Sequence, residues 1–217
     1  MSNESKTTDL WDKYNWTRVK DLAPSTGIAQ YQTPLDPTIK IKGRNEIIKL
    51  LKRRSASSFS NEFQDFQPYN RVLTLLQKQR EKYPWLSFRV LSNNLTSLND
   101  GLYSLNADGF QYKSSSVTTT TVAPIIQNQW WINGSGLSIF VVVDFHTAFD
   151  AFRFEDGYHY LYLTIGQIGQ EITEQIVFAN LKARMTPAIS ESLAKSILQV
   201  SDQGTEIVYY FRCGQGT

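Results

Sequence analysis

Hydrophobic and polar positions change their period along the chain, and the change separates a helical front from a strand-rich rear. Before residue 84, apolar residues recur about every 3.6 positions, as they do on one face of a helix. The stretch "RNEIIKLLKRR" therefore predicts a short helix with two isoleucines and two leucines on its apolar side. A second helix is predicted from Asp65, which can cap it, to Tyr83, because Pro84 disfavours a helical residue before it.

After Pro84 the period shortens to about two, which is typical of β-strands. The stretches "WLSFRVLS", "GLSIFVVVDF" and "TEIVYYFRC" are predicted strands. Two more strands, "GYHYLYLTIG" and "QEITEQIVFANLKARM", are predicted on either side of a turn at Gly166–Gly169. The polar run "KSSSVTTTT" is typical of an edge strand. One late helix is predicted in "PAISESLAKSILQV", which has a proline at its start.

Consecutive strands without intervening helices favour an antiparallel β architecture. We therefore predict an α+β, predominantly β fold, in which an antiparallel β-sandwich or jelly-roll-like body carries two N-terminal helices and one late helix. The predicted segments are a flexible N-terminal arm at 1–40, a basic helical segment at 41–84 and a β-sandwich domain at 85–217. The arm is inferred from its polar composition, which is interrupted by three prolines.

Composition restricts the class of protein and its cellular compartment. A hydrophobic content of 41% excludes wholesale disorder. Cys213 is the single cysteine, so the chain has neither an intrachain disulfide nor a cysteine-built metal site. The first residues lack a signal-peptide pattern, and no apolar run approaches the ~18–20 residues of a membrane span. The predicted location is intracellular, in host cytoplasm or in a virion, without secretion or a transmembrane segment.

Charge is distributed unevenly along the chain although the formal net charge is only +2. Residues 1–92 contain 16 basic and 9 acidic residues, whereas residues 93–217 contain 6 and 11. Such an asymmetry suggests that the front of the chain meets a polyanion. Most of the excess lies in one stretch with a single acid, Glu46. We predict that this stretch binds nucleic-acid phosphates without sequence preference through Lys40, Lys42, Arg44, Lys49, Lys52, Arg53 and Arg54.

Two other interpretations of the basic stretch stay open. The same side chains could bind an anionic membrane surface. They could also form the solvated face of a helix whose apolar side packs on the body of the protein.

Asp144 and His146 are the residues most suggestive of catalysis. Two positions apart on a predicted strand, they share one face, where the pair could act as a general base or bind a metal with His159 or Glu155. No nucleophile elbow, paired-histidine motif or carboxylate cluster accompanies them. The G-x-x-G at Gly166–Gly169 matches KH domains in letters only, because it has no basic residue. We predict no catalytic residue, metal or cofactor, and we interpret Asp144 as the end of a core strand.

The layout of an arm, a basic segment and a β-rich body resembles small viral coat proteins. That resemblance implies that the arm and the basic segment face nucleic acid while the sandwich forms a shell. The stretches "GLSIFVVVD", "IVFANLKARM" and "IVYYFR" are also similar to the 30K-type movement proteins of plant viruses. In those proteins an apolar strand ends in a characteristic aspartate, here Asp144. The basic residue that commonly follows it is replaced by Phe145-His146-Thr147.

These features together predict a non-enzymatic structural protein, of viral type, that self-associates and contacts nucleic-acid phosphates through its basic segment. The first alternative is a movement- or matrix-type protein that acts at membranes. Two further alternatives are a metal- or histidine-dependent hydrolase centred on His146 and a pore-former that uses "KSSSVTTTTV" as a convertible hairpin. No small-molecule substrate is predicted.

Overall fold

Six strands form one antiparallel sheet in the computed structural model, which describes residues 44–152, 157–200 and 204–216. The strands are β1 (Leu86–Asn93), β2 (Gly101–Asn106), β3 (Gly109–Ser114), β4 (Gly136–Asp144), β5 (Lys182–Thr186) and β6 (Thr205–Gly214). Their order across the sheet is β3-β2-β1-β4-β6-β5, and every neighbouring pair is antiparallel. The long strands β1, β4 and β6 therefore lie at the centre, and β3 and β5 lie at the edges.

Six α-helices occur in the same described ranges. They are α1 (Arg44–Lys52), α2 (Gln67–Lys82), α3 (Thr119–Val122), α4 (Phe145–Ala151), α5 (Gly157–Phe178) and α6 (Glu191–Leu198). Two short 3₁₀ turns, Ala123–Ile126 and Trp130–Ile132, lie between α3 and β4. The longest helix, α5, has 22 residues.

Both faces of the sheet are covered, which explains why β4 is buried along nearly its whole length. On one face, α2 and α5 pack against the central strands through residues such as Leu76 and Ile165. On the other face, the two 3₁₀ turns and α6 contribute a second core, which includes Trp131 and Leu198. One sheet with a core on each side replaces the two packed sheets of a sandwich.

The predicted antiparallel β-sandwich or jelly-roll-like body is therefore wrong. The main error lies at 157–178, which we predicted as two strands and which forms the single helix α5. Its buried residues are spaced by three or four positions, as a helical stripe requires: Leu161, Ile165, Ile168, Ile172 and Ile176. The tyrosines that suggested strand alternation, at 158, 160 and 162, are all exposed.

Gly169 lies within α5, not in a turn. A Cβ atom at this position would stand 3.5 Å from Cε2 of Tyr209 and 3.6 Å from Cζ of Phe211. A Cβ would therefore make ordinary van der Waals contact with β6, and a larger side chain would be needed to overlap it. The predicted turn is wrong, because this glycine is an interior helix residue that faces the sheet.

The Ser/Thr-rich run also differs from its prediction as an edge strand. The edge strand β3 ends at Ser114, and the threonines that follow form α3. Thr118 and Thr121 make a reciprocal capping box there, since each side chain accepts a hydrogen bond from the other residue's backbone N–H. Local hydrogen bonding by the hydroxyls therefore favours a helix start over an extended strand.

Other elements lie where the pattern placed them. Helix α2 ends at Lys82, with Tyr83 as its C-cap. Its start differs from the prediction, since Phe66 is the N-cap and makes no side-chain cap hydrogen bond, while Asp65 Oδ1 accepts a hydrogen bond from the backbone N–H of Gln67 at 3.2 Å. Strand β4 ends at Asp144. The predicted arm at 1–40 lies outside the described residues, and the division of the chain at residues 40 and 84 stays a prediction.

Candidate functional site

The described part of the predicted phosphate-binding stretch lies at the end of α1. Lys49, Lys52, Arg53 and Arg54 are exposed there, whereas Lys40 and Lys42 lie outside the described residues and Arg44 opens the helix. Lys49 Nζ donates to Asn180 Oδ1 at 2.8 Å, which ties α1 to the turn after α5. Within the described ranges, no carboxylate pairs with Lys52, Arg53 or Arg54. Their assignment to phosphate binding stays a prediction.

The chain after α1 runs from the outer edge of β5 to the end of β6. The backbone N–H of Ala56 donates to the carbonyl of Ala183 at 3.1 Å, and Arg184 Nη1 donates to the carbonyl of Ala56 at 3.0 Å. Farther on, the N–H of Ser60 donates to the carbonyl of Gln215 at 2.8 Å. These hydrogen bonds attach the segment to β5 and β6. Arg53 and Arg54 directly precede the part of the segment in which Ala56 contacts Arg184.

Two further arginines face each other across β5 and β6. Arg184 and Arg212 are direct partners in the antiparallel register, so their side chains lie on the same face of the sheet. The Arg184 guanidinium lies 4.8 Å from the centroid of the Trp131 ring, and that of Arg212 lies 5.4 Å from the Phe59 ring. No carboxylate in the described part of the chain pairs with either arginine. This end of the sheet therefore carries positive charge without internal compensation.

Arg212 is fully buried. Its Nη2 donates to the carbonyl of Gly134, while Nε and Nη1 have no hydrogen-bond partner. Neither arginine was predicted as a site residue from the sequence. The signal was a basic residue inside an otherwise apolar strand, in "KARMT" and "VYYFRCG", where charge is costly unless it is paired.

Tyr210 and Cys213 are ionisable groups close to Arg212, and burial dominates both. Burial raises the pKa of Tyr210 to about 12 and that of Cys213 to about 12, and the charge of Arg212 partly opposes both shifts. The Tyr210 hydroxyl and Ser138 Oγ form a hydrogen bond of 2.9 Å. Both groups therefore stay protonated near neutral pH, where neither serves as a base.

The structure gives Asp144, His146 and His159 different places in the fold. Asp144 caps α4, whereas His146 lies exposed on α4 and His159 lies exposed in the first turn of α5. Glu155 lies outside the described residues. Across the described ranges, no group of three His, Cys, Asp or Glu side chains is arranged to hold a metal ion.

The sequence matches no family profile, and it matches no curated protein. Solved structures with the same fold do exist. A protein of Anabaena variabilis assigned to the nitroreductases superposes with a TM-score of 0.66 and 15% identity, over 80% of this chain and 38% of its own length. The present chain thus spans well under half of that protein.

Two other structures support the same fold. The Escherichia coli microcin synthetase McbBCD complex, solved with truncated pro-MccB17 bound, superposes with a TM-score of 0.63 and 11% identity, over 76% of this chain and 70% of the other. An FMN-dependent nitroreductase from Clostridium difficile gives a TM-score of 0.52 and 11% identity, over 78% and 87%. The described chain therefore has a nitroreductase-like α+β fold, with a six-stranded antiparallel sheet and six helices in its described ranges.

These findings correct several predictions. The resemblance to viral coat proteins and 30K movement proteins is wrong, because the structures that share the fold are nitroreductase-type proteins. The prediction of a non-enzymatic viral structural protein is contradicted by the same comparison, since the structures that share the fold are described as nitroreductases and a microcin synthetase complex. Nothing in the comparison supports a nucleic-acid or membrane partner. In the described ranges, no helix has both the length and the apolar character that crossing a bilayer requires.

Proposed function

We propose that this chain is a flavin-dependent oxidoreductase that holds the phosphate of FMN at the basic end of α1. The fold that it shares with an FMN-dependent nitroreductase supports the cofactor class. The observation that carries the proposal is the pair Arg53 and Arg54, two adjacent exposed arginines beside the edge of the sheet. Among the described residues, no carboxylate neutralises them.

The residues at this position suit a phosphate group. Arginine presents a planar fork of N–H donors that matches the oxygens of phosphate, and such charge-assisted bonds are about twice as strong as neutral ones. Ser55 and Ser57, which directly follow the arginines, are exposed and can add hydroxyl donors. The segment therefore offers both charge and hydrogen-bond donors to a phosphate.

The edge strand β5 offers groups for the rest of the flavin. β6 is its single neighbour in the described sheet, so the outer backbone groups beyond Ala183 are available for hydrogen bonds. Met185, on the same strand, is 47% exposed and presents apolar surface. When bound, FMN supplies the electron-transfer chemistry, and the residues of this chain bind and orient it.

A titration with two flavins tests the phosphate contact. The full chain is titrated with FMN and with riboflavin, which lacks the phosphate, and binding is followed by quenching of flavin fluorescence. We expect FMN to bind at least about tenfold more tightly, because one hydrogen bond to a charged group contributes about 1.5–3 kcal/mol. The double variant Arg53→Gln/Arg54→Gln should lose that preference.

A matched control removes the same charge elsewhere. Arg71→Gln/Lys78→Gln changes two exposed basic residues of α2 and should keep the preference for FMN. Equal affinity for the two flavins, or no binding by folded protein, would refute the proposed phosphate site.

Reduction of the bound flavin tests the oxidoreductase half of the proposal. FMN-loaded protein is mixed anaerobically with NADH or NADPH, and the loss of visible flavin absorbance is followed. We expect at least one nucleotide to bleach the flavin. Bleaching by dithionite alone would identify a flavin-binding protein without this activity.

We also propose self-association through an aromatic cluster on α4 and α5 that is exposed at Phe149, Tyr158 and Tyr162. The rings of Phe145, Phe149, Tyr158 and Tyr162 lie in contact, with centroid separations from 4.6 to 6.2 Å. Tyr158 is 56% exposed, and contiguous apolar surface of this kind marks interaction sites. Light scattering at increasing concentration should show an oligomer in the native chain and less of it in Phe149→Ser/Tyr158→Ser. A strict monomer at all concentrations would refute this proposal.

A further inference from the structure

We infer that Arg212 and Ser135 form a buried site for one small oxyanion, of the phosphate or carboxylate class, separate from the proposed flavin site. Both side chains are fully buried. Nε and Nη1 of Arg212 and Oγ of Ser135 all lack a hydrogen-bond partner. Arg212 Nη2 donates to the carbonyl of Gly134, the residue before Ser135. The unpaired nitrogens of Arg212 therefore lie close to the residue that carries the unpaired hydroxyl.

The unpaired groups define the chemistry of the missing partner. Arginine stays protonated in proteins and only donates, and the Ser135 hydroxyl can donate as well. A buried donor without an acceptor costs about 1–3 kcal/mol, and more when it is charged. A group with several acceptor oxygens and negative charge would satisfy these donors together.

Two acceptors of the protein near Arg212 are already in use. The carbonyl of Gly134 accepts from Asn93 Nδ2 at 2.7 Å as well as from Arg212. Ser138, which faces Arg212 from β4, shares its hydroxyl with Tyr210. Neither of these two groups accepts a hydrogen bond from Nε or Nη1 of Arg212.

The charge around Arg212 also favours an anion. Arg184 stands directly opposite on β5, and like charges that face each other across two strands repel. Throughout the described residues, no carboxylate pairs with this arginine couple. An oxyanion beside Arg212 would remove the repulsion and the unpaired charge at the same time.

The surroundings show how the anion would be enclosed. The Phe59 ring covers the Arg212 guanidinium, and a Cβ on Gly134 would lie only 2.7 Å from the carbonyl oxygen of Phe59. The Phe59 segment and the Gly134–Gly136 loop are thus in close contact over the arginine. Electrostatic attraction is stronger in such an enclosed, low-dielectric place than in water.

Thermal unfolding in millimolar phosphate tests the inference, with sodium chloride used to hold the ionic strength constant. The melting temperature of the native chain should rise with phosphate, because a ligand that binds only the folded state stabilises it. Arg212→Met should lose the part of the response that comes from the Arg212 site and should therefore respond less than the native chain. Without phosphate, it should unfold at the same temperature as the native chain or higher, since a buried unpaired charge has been removed.

Ser135→Ala provides a second variant that keeps the charge. It should weaken the apparent affinity for phosphate by about tenfold, the effect of one lost hydrogen bond to a charged group. Parallel titrations with acetate distinguish the two anion classes: a response to phosphate or to acetate identifies which one binds. A response to neither anion would overturn the inference.

The double variant Arg53→Gln/Arg54→Gln separates this site from the proposed flavin site. We expect it to keep the phosphate response that depends on Arg212 while it loses its preference for FMN. Arg212→Met should respond less to phosphate and keep the preference for FMN. An equal phosphate response in Arg212→Met and the native chain would place the anion elsewhere and overturn the inference. Loss of the response in the arginine double variant alone would overturn it as well.

Discussion

Asp144 accepts two hydrogen bonds from Thr147, one from the backbone N–H to Oδ1 at 3.1 Å and one from the hydroxyl to Oδ2 at 2.7 Å. Asp144 is the last residue of β4 and the N-cap of α4, so its carboxylate holds the change from strand to helix. The carboxylate of Asp144 therefore has a structural role. It bonds to Thr147 and not to His146.

Removal of this cap should lower stability. Asp144→Ala is expected to reduce the free energy of unfolding by about 1 kcal/mol, because one helical N–H loses its acceptor. Urea denaturation measures the change. His146→Ala, at an exposed position of the same helix, should stay within about 0.5 kcal/mol of the native chain. Equal losses in both variants would contradict the capping role.

Two glycines of α5, Gly166 and Gly169, should differ in their tolerance of a large side chain. Gly169→Leu is expected to lose about 1–3 kcal/mol, because the added atoms would overlap Tyr209 and Phe211 on β6. Gly166→Leu should be neutral or stabilising, since a Cβ there has no heavy atom within 4 Å and leucine favours a helix more than glycine does. Chemical denaturation of both variants measures which one loses more stability. If this stretch formed two strands around a turn, Gly169→Leu would not be expected to lose more stability than Gly166→Leu.

Cys213 should resist thiol reagents in the folded protein. Burial raises the pKa of its thiol to about 12, so very little reactive thiolate exists at pH 8. A disulfide reagent should label it only after denaturant is added, at the rate at which the chain unfolds. A cysteine at an exposed position, Glu62→Cys, should be labelled at once in the same protein. Fast labelling of native Cys213 would contradict its burial.

Tyr210 should contribute to a loss of stability at high pH. Burial raises its pKa from about 10 to about 12, so the unfolded chain releases the phenolic proton at lower pH than the folded chain does. The contribution is complete below pH 10 and is lost as the pH rises towards 12. Tyr210→Phe should flatten the decline of unfolding free energy in that interval and cost about 1 kcal/mol at neutral pH, since Ser138 loses its partner. Urea denaturation at several pH values measures both effects, and an unchanged alkaline slope would contradict the assignment.

Elements with one strong local signal were predicted well. Helix α2 is amphipathic, has a proline in its first turn and meets Pro84 just after its end, so neighbouring residues decide its bounds. Strand β4 is a continuous apolar run that stops at a charged residue. In both cases the local preference and the tertiary environment agree.

Helix α5 shows where local pattern was insufficient. Its exposed tyrosines alternate like strand residues, while its buried isoleucines follow a helical period, so the stretch contains both signals. Packing decided between them, because α5 lies with α2 on one face of the sheet and buries its isoleucine stripe there. The interpretation of Gly166 and Gly169 as a turn concealed that stripe.

The amino-acid sequence by itself was sufficient to locate the basic stretch at the end of α1, the end of α2 and the aspartate that ends β4. Each of these features depends on residues that are close together in the chain. Only the tertiary structure decided that β5 and β6 pair, and with that pairing that Arg184 faces a buried Arg212. Strand register is a relation between distant segments, and a shift by one residue would turn these side chains to opposite faces. For that reason neither the fold nor the unpaired buried charge could be derived from the order of residues alone.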